Sequence, residues 1–337
     1  MSKNDPHDHL FKAVFGQVEQ ASEWLPTVTP RALRDRVSWS TLRVLPGSFV
    51  DESLHERETD LLFSCEWTDG RPCLFYVLLE HQSTRDDRMP WRMLRYLVRI
   101  WESWERDNPD WENLPLILPL VVYHGQRAWG AVPFFLLVDY PDGTIDAMRR
   151  YVPDFEFELF DLSRVHDEEL EGPALSQMAL RLLKHYDPRF DLWPDFFQWG
   201  TLLNEVARQS GSDALRRIFS YLVQVNDDFP DTNDFRDFLR EHLEDPDDQE
   251  ILMNAAQKLH ERGKKEGIEQ GIEQGIKQGV ERSLGRQRSF LMKLLEKKFG
   301  DLTADARERV VSADQDRLER WTEGLLEAES LQQVFDK

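Results

Sequence analysis

Acidic and amide side chains mark the outer ends of two neighbouring apolar runs. Asp60 opens the run Leu61-Leu62-Phe63-Ser64-Cys65-Glu66-Trp67, and Glu80-His81-Gln82 closes the run Cys73-Leu74-Phe75-Tyr76-Val77-Leu78-Leu79. Between them lies Thr68-Asp69-Gly70-Arg71-Pro72, so the two runs read as a β-hairpin. Side chains alternate across a strand, which puts Leu74, Tyr76, Leu78, Glu80 and Gln82 on one face. Antiparallel pairing brings Asp60 to the same end as Glu80. Two adjacent carboxylates repel and raise each other's pKa unless a cation lies between them. Hard oxygen ligands with open positions suit Mg²⁺, which uses one or two carboxylates plus substrate phosphate. The same residues also fit an ordinary reading, an Asp at a turn and a Glu at the first solvated position after a strand.

The neighbouring elements must hold this pair in place. The second run is apolar on both faces and reads as a central strand. A helix follows from about Arg88 to Arg106, its start fixed by Pro90 in the first turn. Arg88, Arg92, Arg95 and Arg99 fall at i, i+4, i+7 and i+11 and share a face, with Met93, Leu94, Leu97, Val98, Ile100 and Trp101 on the buried side. Such a face can fork onto phosphate oxygens of a nucleic-acid backbone, or it can be a solvated face paired with Asp86, Asp87, Glu102 and Glu105. Leu116–Tyr123 reads as the next strand, ending in His124-Gly125. His124 is within reach of the site or is simply a polar turn residue. Upstream, Leu10 to Leu25 keeps helical spacing up to Pro26, and Trp39–Val50 reads as a strand broken at Pro46-Gly47. Downstream, Phe134–Val138 reads as a strand and Pro173–His185 as a helix. The aromatic cluster Phe190, Trp193, Phe196, Phe197 and Trp199 reads as core, because no basic residues interleave with it.

Strand, turn, strand, Glu-x-Gln and helix together resemble the PD-(D/E)XK nuclease core, with Gln82 where Lys is usual. More narrowly, the chain resembles the recombination-promoting nuclease (Rpn) family, also labelled YhgA-like. The matching stretches are Asp8-His9-Leu10-Phe11-Lys12, Leu45-Pro46-Gly47-Ser48-Phe49-Val50-Asp51, Asp60-Leu61-Leu62-Phe63, Leu78-Leu79-Glu80-His81-Gln82-Ser83, Leu94-Arg95-Tyr96 and Leu118-Pro119-Leu120-Val121-Val122-Tyr123-His124-Gly125. They cover roughly the first 200 residues, and several in order are more specific than any one alone. The resemblance implies an α/β fold, a restriction-endonuclease-like mixed sheet flanked by helices, followed by an all-α C-terminal half. It also implies Asp60, Glu80 and Gln82 as catalytic residues. Mg²⁺, with Mn²⁺ as substitute, would be held by Asp60, Glu80 and the main-chain carbonyl of His81. In the broader fold an acidic residue on the first helix assists the metal, a role open to Asp8 or Glu19. The transposase label attached to the family implies mobile DNA, yet no Asp-Asp-Glu strand-transfer spacing is visible.

Composition sets the remaining bounds. The 337 residues suffice for two or three domains. No apolar run approaches about 18 residues and no secretory leader is visible, so the expectation is a cytoplasmic protein without a membrane span. Two cysteines, Cys65 and Cys73, are too few for a disulfide framework and read as buried apolar residues. The net charge of −21 argues against tight nonspecific DNA binding. Its distribution is uneven: −6 over residues 1–150, −14 over 151–260 and −1 over 261–337.

The expected organisation is a nuclease domain with helical extension over 1–205 and an acidic helical segment over 206–262. A helix with Gly at every fourth position follows over 263–285, then a small helical domain over 286–337. Gly263, Gly267, Gly271, Gly275 and Gly279 each cost a helix about 1 kcal/mol relative to Ala. Close approach of a partner helix would offset that, so a homo-oligomer through Gly263–Gly279 or an intramolecular helix pair is expected. The leading expectation is a Mg²⁺-dependent DNA endonuclease. The alternatives are a non-catalytic DNA-associated or protein-interaction module that assembles oligomers, and an RNase using the same site.

Overall fold

The structure, a computed structural model, describes residues 5–45, 60–80, 86–125, 128–226 and 229–336, without the side chains of residues 60, 79–80, 258–280 and 282. It falls into two compact units, Met1–Gln257 and Lys258–Lys337. The first opens with helices α1 (Pro6–Phe15), α2 (Val18–Val28) and α3 (Arg31–Arg34), then strands β1 (Val37–Leu45), β2 (Asp60–Trp67) and β3 (Pro72–Glu80). Helix α4 (Met89–Asp107) crosses over to β4 (Leu116–Tyr123), and the short α5 (Ile145–Met148) precedes β5 (Glu158–Asp161). Helices α6 (Ala174–His185), α7 (Trp193–Phe196), α8 (Gly200–Val225) and α9 (Thr232–His242) follow, and α10 (Pro246–Phe299) runs from one unit into the other.

The five strands form one sheet in the order β1-β2-β3-β4-β5. The first three pair antiparallel, and β3-β4 and β4-β5 pair parallel. The chain is therefore α/β, a mixed sheet with flanking helices and a helical C-terminal half. In β3 every residue from Cys73 to Leu78 is buried, because helices cover both faces of this central strand. One face carries Leu62, Leu74, Tyr76, Leu78, Ile117, Val121 and Tyr123 against Met89, Met93, Tyr96, Leu97 and Ile100 of α4. Each such side chain contributes about 1.5–3 kcal/mol by leaving water. On the N-terminal helices, Phe11, Phe15 and Trp24 pack in mutual contact, and Trp24 meets Phe160 of β5 edge-on.

Three local expectations change. The helix expected from Leu10 to Leu25 is two helices: the Gly16 N–H closes α1 on the Lys12 carbonyl, and Gln17 turns extended before α2 starts. Pro26 lies inside the last turn of α2, where the Thr29 N–H still reaches the Leu25 carbonyl. Phe134–Leu137 is a 3₁₀ turn and not a strand. The Leu136 N–H and the N–H of the following Val138 bond three residues back to the Pro133 and Phe135 carbonyls, while the sheet edge beside β4 is taken by β5. Phe190 is 72% exposed, with the Arg189 guanidinium over its ring, while Trp193, Phe196 and Trp199 are core as expected. Strand β1 ends at Leu45; the expected break at Pro46-Gly47 lies outside the described residues.

The second unit folds around Leu291, Leu295, Val310, Leu318, Trp321 and Leu325. Its helices α11 (Ala304–Ser312), α12 (Gln315–Gly324) and α13 (Leu331–Phe335) each begin at a side chain that accepts from the first turn: Thr303, Asp314 and Ser330. The Gly263–Gly279 repeat lies within α10. Among the described residues no helix is long and apolar enough to cross a membrane.

Candidate functional site

The hairpin register decides where the two acids fall. Asp60, the first residue of β2, pairs with Leu78, and Glu80 is the last residue of β3, two positions beyond. Directly opposed residues share a face, and so do residues two apart on one strand. Positions 60 and 80 are therefore diagonal neighbours at the same end and on the same face of the sheet, the face that α4 covers. Glu80 is in register with Tyr123 of β4, which is in register with Asp161 of β5. His81 and Gln82 lie outside the described residues.

The row thus ends in a third acid, which sequence reading missed. Asp161 is 6% exposed. Its carboxylate accepts from the Trp129 N–H at 2.8 Å, the Ser163 N–H at 3.0 Å and the Ser163 hydroxyl at 2.6 Å, and pairs with Arg164 at 3.3 Å. These partners occupy both oxygens and tie Asp161 to the loop and the 3₁₀ turn that follow the sheet. Among the described residues no group of three or more His, Cys, Asp or Glu could hold a metal ion.

Helix α4 starts at the end of the sheet where Glu80 stands, because it connects the carboxyl end of β3 to the start of the parallel β4. The four arginines on it differ. Arg92 is half-buried and bonds Asp86 at 2.9 Å, and Arg99 pairs with Glu102 at 3.2 Å. Arg88 and Arg95 are exposed, and neither makes an ion pair among the described residues. Val98, expected on the buried side, is 41% exposed, while Tyr96 is buried. Tyr96 lies five residues before Trp101 and one after Arg95, and its ring centroid packs 5.3 Å from that of Tyr76 on β3.

A buried polar cluster sits at the start of α1 and the end of β4. His7 and His124 are each 5% exposed, their ring centroids 5.2 Å apart. His7 Nδ1 lies 2.9 Å from the Tyr221 hydroxyl of α8, and Tyr186 packs 4.3 Å from the His7 ring. His124 Nδ1 lies 3.2 Å from the Leu183 carbonyl, which can only accept, so Nδ1 carries the proton. Burial, then the neighbouring Tyr186 and Asp5, push the Tyr221 phenol well above its ordinary pKa. Only the nearness of Tyr123-His124 to the strand end hinted at this cluster; its other members lie far away in sequence. Asp8, on the first turn of α1 beside His7, has one carboxylate oxygen buried, whereas Glu19 on α2 is exposed.

At the opposite end of the hairpin Cys65 and Cys73 are directly opposed, both buried, with their sulfurs 3.0 Å apart. The contact with Cys73, then burial, holds the Cys65 thiol well above its ordinary pKa; the same contact lowers that of Cys73.

Comparison with known proteins gives a consistent picture. The family model described as "Putative transposase, YhgA-like" matches residues 5–213. The inactive recombination-promoting nuclease-like protein RpnE of Escherichia coli (strain K12) is 30% identical over 78% of this chain and 84% of its own. The recombination-promoting nuclease RpnA of the same strain is 28% identical over 77% of this chain and 85% of its own. RpnC, also a recombination-promoting nuclease of that strain, is 32% identical over 65% of this chain and 70% of its own. No solved structure matches this chain.

Proposed function

This chain belongs to the YhgA-like family, and we propose that it hydrolyses phosphodiester bonds in DNA with a divalent ion held at the end of the β2–β3 hairpin. Relatives named recombination-promoting nucleases support a nuclease role in recombination. The observation that carries the reading is the register, which sets Asp60 and Glu80 at diagonal positions on one face. Diagonal positions are about 7–8 Å apart, a span two carboxylate side chains and one cation can cover. Two carboxylates, with the main-chain carbonyl of His81 next in sequence, make an all-oxygen donor set that fits Mg²⁺ or Mn²⁺. A bound ion there would lower the pKa of its water and offset charge developing at the phosphorus.

The chain's own residues do the rest. Gln82 cannot titrate or carry charge, so its part is to orient water by hydrogen bonding. Arg88 and Arg95, unpaired on the exposed face of α4 among the described residues, are the cations open to phosphate oxygens. Arg92 and Arg99, held by Asp86 and Glu102, contribute less. The test is nicking of supercoiled plasmid in Mg²⁺: wild type is expected to nick and Asp60→Ala to lose activity, and equal nicking by both sinks the reading. Arms with matched DNA and RNA separate the two substrate classes.

One observation favours a second reading. A relative 30% identical to this chain is named inactive, which suits a non-catalytic module that assembles through a helix pairing at Gly263–Gly279. Calorimetry discriminates: Mg²⁺ or Mn²⁺ heat that vanishes in Glu80→Ala supports the enzyme, and no heat in wild type supports the module.

A further inference from the structure

Trp91 occupies the first full turn of α4 and is 50% exposed, on a helix whose opposite side is packed against the sheet. In sequence it stands three residues after Arg88 and four before Arg95, the spacing that makes neighbours on a helix surface. Arg88, Trp91 and Arg95 therefore form one stripe, about 10 Å long from end to end. Val98, 41% exposed, continues it. The indole is not loose: its ring centroid lies 6.4 Å from that of Phe134, which is buried and stacked on Phe155 at 5.7 Å. One side of Trp91 is thus supported by an aromatic shelf while half of its surface meets solvent.

We propose that Trp91 is a stacking platform for an unpaired base, and that α4 accordingly binds single-stranded or locally opened nucleic acid. The inference rests on the nucleic-acid reading above and adds the kind of strand the site takes. An aromatic plane between two cations serves such a strand, since a splayed base offers a π-face while its phosphates meet the guanidinium groups. In an intact duplex the base faces are stacked on one another, so Trp91 has nothing to accept there and only the arginines act. Charge selects the occupant: an acidic peptide would satisfy Arg88 and Arg95 but gives no reason for a supported, half-exposed indole between them. The parallel connection also puts this stripe at the carboxyl end of β3, where Glu80 stands.

The test is fluorescence anisotropy of the full chain with a labelled 20-mer, single-stranded or as a blunt duplex, in EDTA so that neither cleavage nor metal enters. Wild type should bind the single strand more tightly. Trp91→Ala should weaken that binding about 5- to 20-fold and duplex binding less than about twofold. Trp91→Phe should retain most of the single-strand affinity, which a merely structural loss would not. Arg88→Gln with Arg95→Gln should weaken both substrates alike and flatten the salt dependence. Equal loss on both substrates in Trp91→Ala, or no loss on either, overturns the platform. Absence of binding to either substrate by wild type also overturns it and points to a protein partner for the stripe. Because the plasmid assay depends on Asp60 and metal and this one does not, the two proposals fail separately.

Discussion

The two ends of the β2–β3 hairpin acquire their acidic residues by different means. At the turn, Asp69 is answered two residues later. It accepts from the Arg71 N–H at 3.1 Å, from Nε at 3.0 Å and from Nη2 at 2.7 Å, and Arg71 holds its carboxyl below the ordinary value. Gly70, at φ +85°, lets the chain reverse there. At the other end Asp60 and Glu80 are twenty residues apart, and only register brings their positions to the same end of the sheet. In the same row Asp161 is buried and surrounded by donors. An acid answered by its own turn or loop shapes the backbone. Asp60 and Glu80 owe their common position to strand pairing rather than to a shared turn.

The contrast can be broken most sharply at Glu80. Glu80→Ala is expected to cut plasmid nicking about 100-fold or more while thermal unfolding stays close to wild type. A large stability loss without a specific activity loss would make Glu80 another structural acid. Asp161→Ala should do the reverse and cost about 2 kcal/mol in urea unfolding, because the Trp129 N–H is left buried without its acceptor.

Asp167 sharpens the comparison through pH. Burial alone would raise its carboxyl, but hydrogen bonds from Lys184 and His185 and their charges hold it below the ordinary 3.8. A depressed carboxyl contributes stability that is present above the unfolded pKa and is lost as pH falls through the folded one. Asp167→Asn should therefore destabilise at pH 7 by about 1 kcal/mol, with the difference closing below about pH 4. Thermal melts of both proteins across pH 3–7 check this; a gap that widens in acid would refute it. The smallest effect belongs to the turn. Asp69→Ala, at a solvent-exposed ion pair, should leave the unfolding midpoint where it is.

Much of the fold around the hairpin was readable from local pattern. Continuous apolar residues from Cys73 to Leu79 require a strand covered on both faces, and Asp-Gly marks its turn, so β2, β3 and their pairing follow. Pro90 and the helical spacing of Met93, Leu97 and Ile100 give α4 its start and its buried side, to which the structure adds Met89. The same spacing misassigned Val98, because a helix face has no sharp edge and only the width of the covering sheet decides where burial stops. Pattern also failed at Phe134–Leu137, where an apolar run satisfies a strand and a 3₁₀ turn equally.

By itself the sequence determined the candidate chemistry: which acids end which strands, the spacing of the arginines and the resemblance that links them. Tertiary structure alone decided which of those groups are already engaged. Asp86 takes Arg92 and leaves Arg88 and Arg95 exposed, while His7 and His124 meet from positions 117 residues apart. The physical reason is range. Backbone periodicity reports the face a residue occupies on its own element, but hydrogen bonds and ion pairs act over a few ångströms between elements that only the packed sheet brings together.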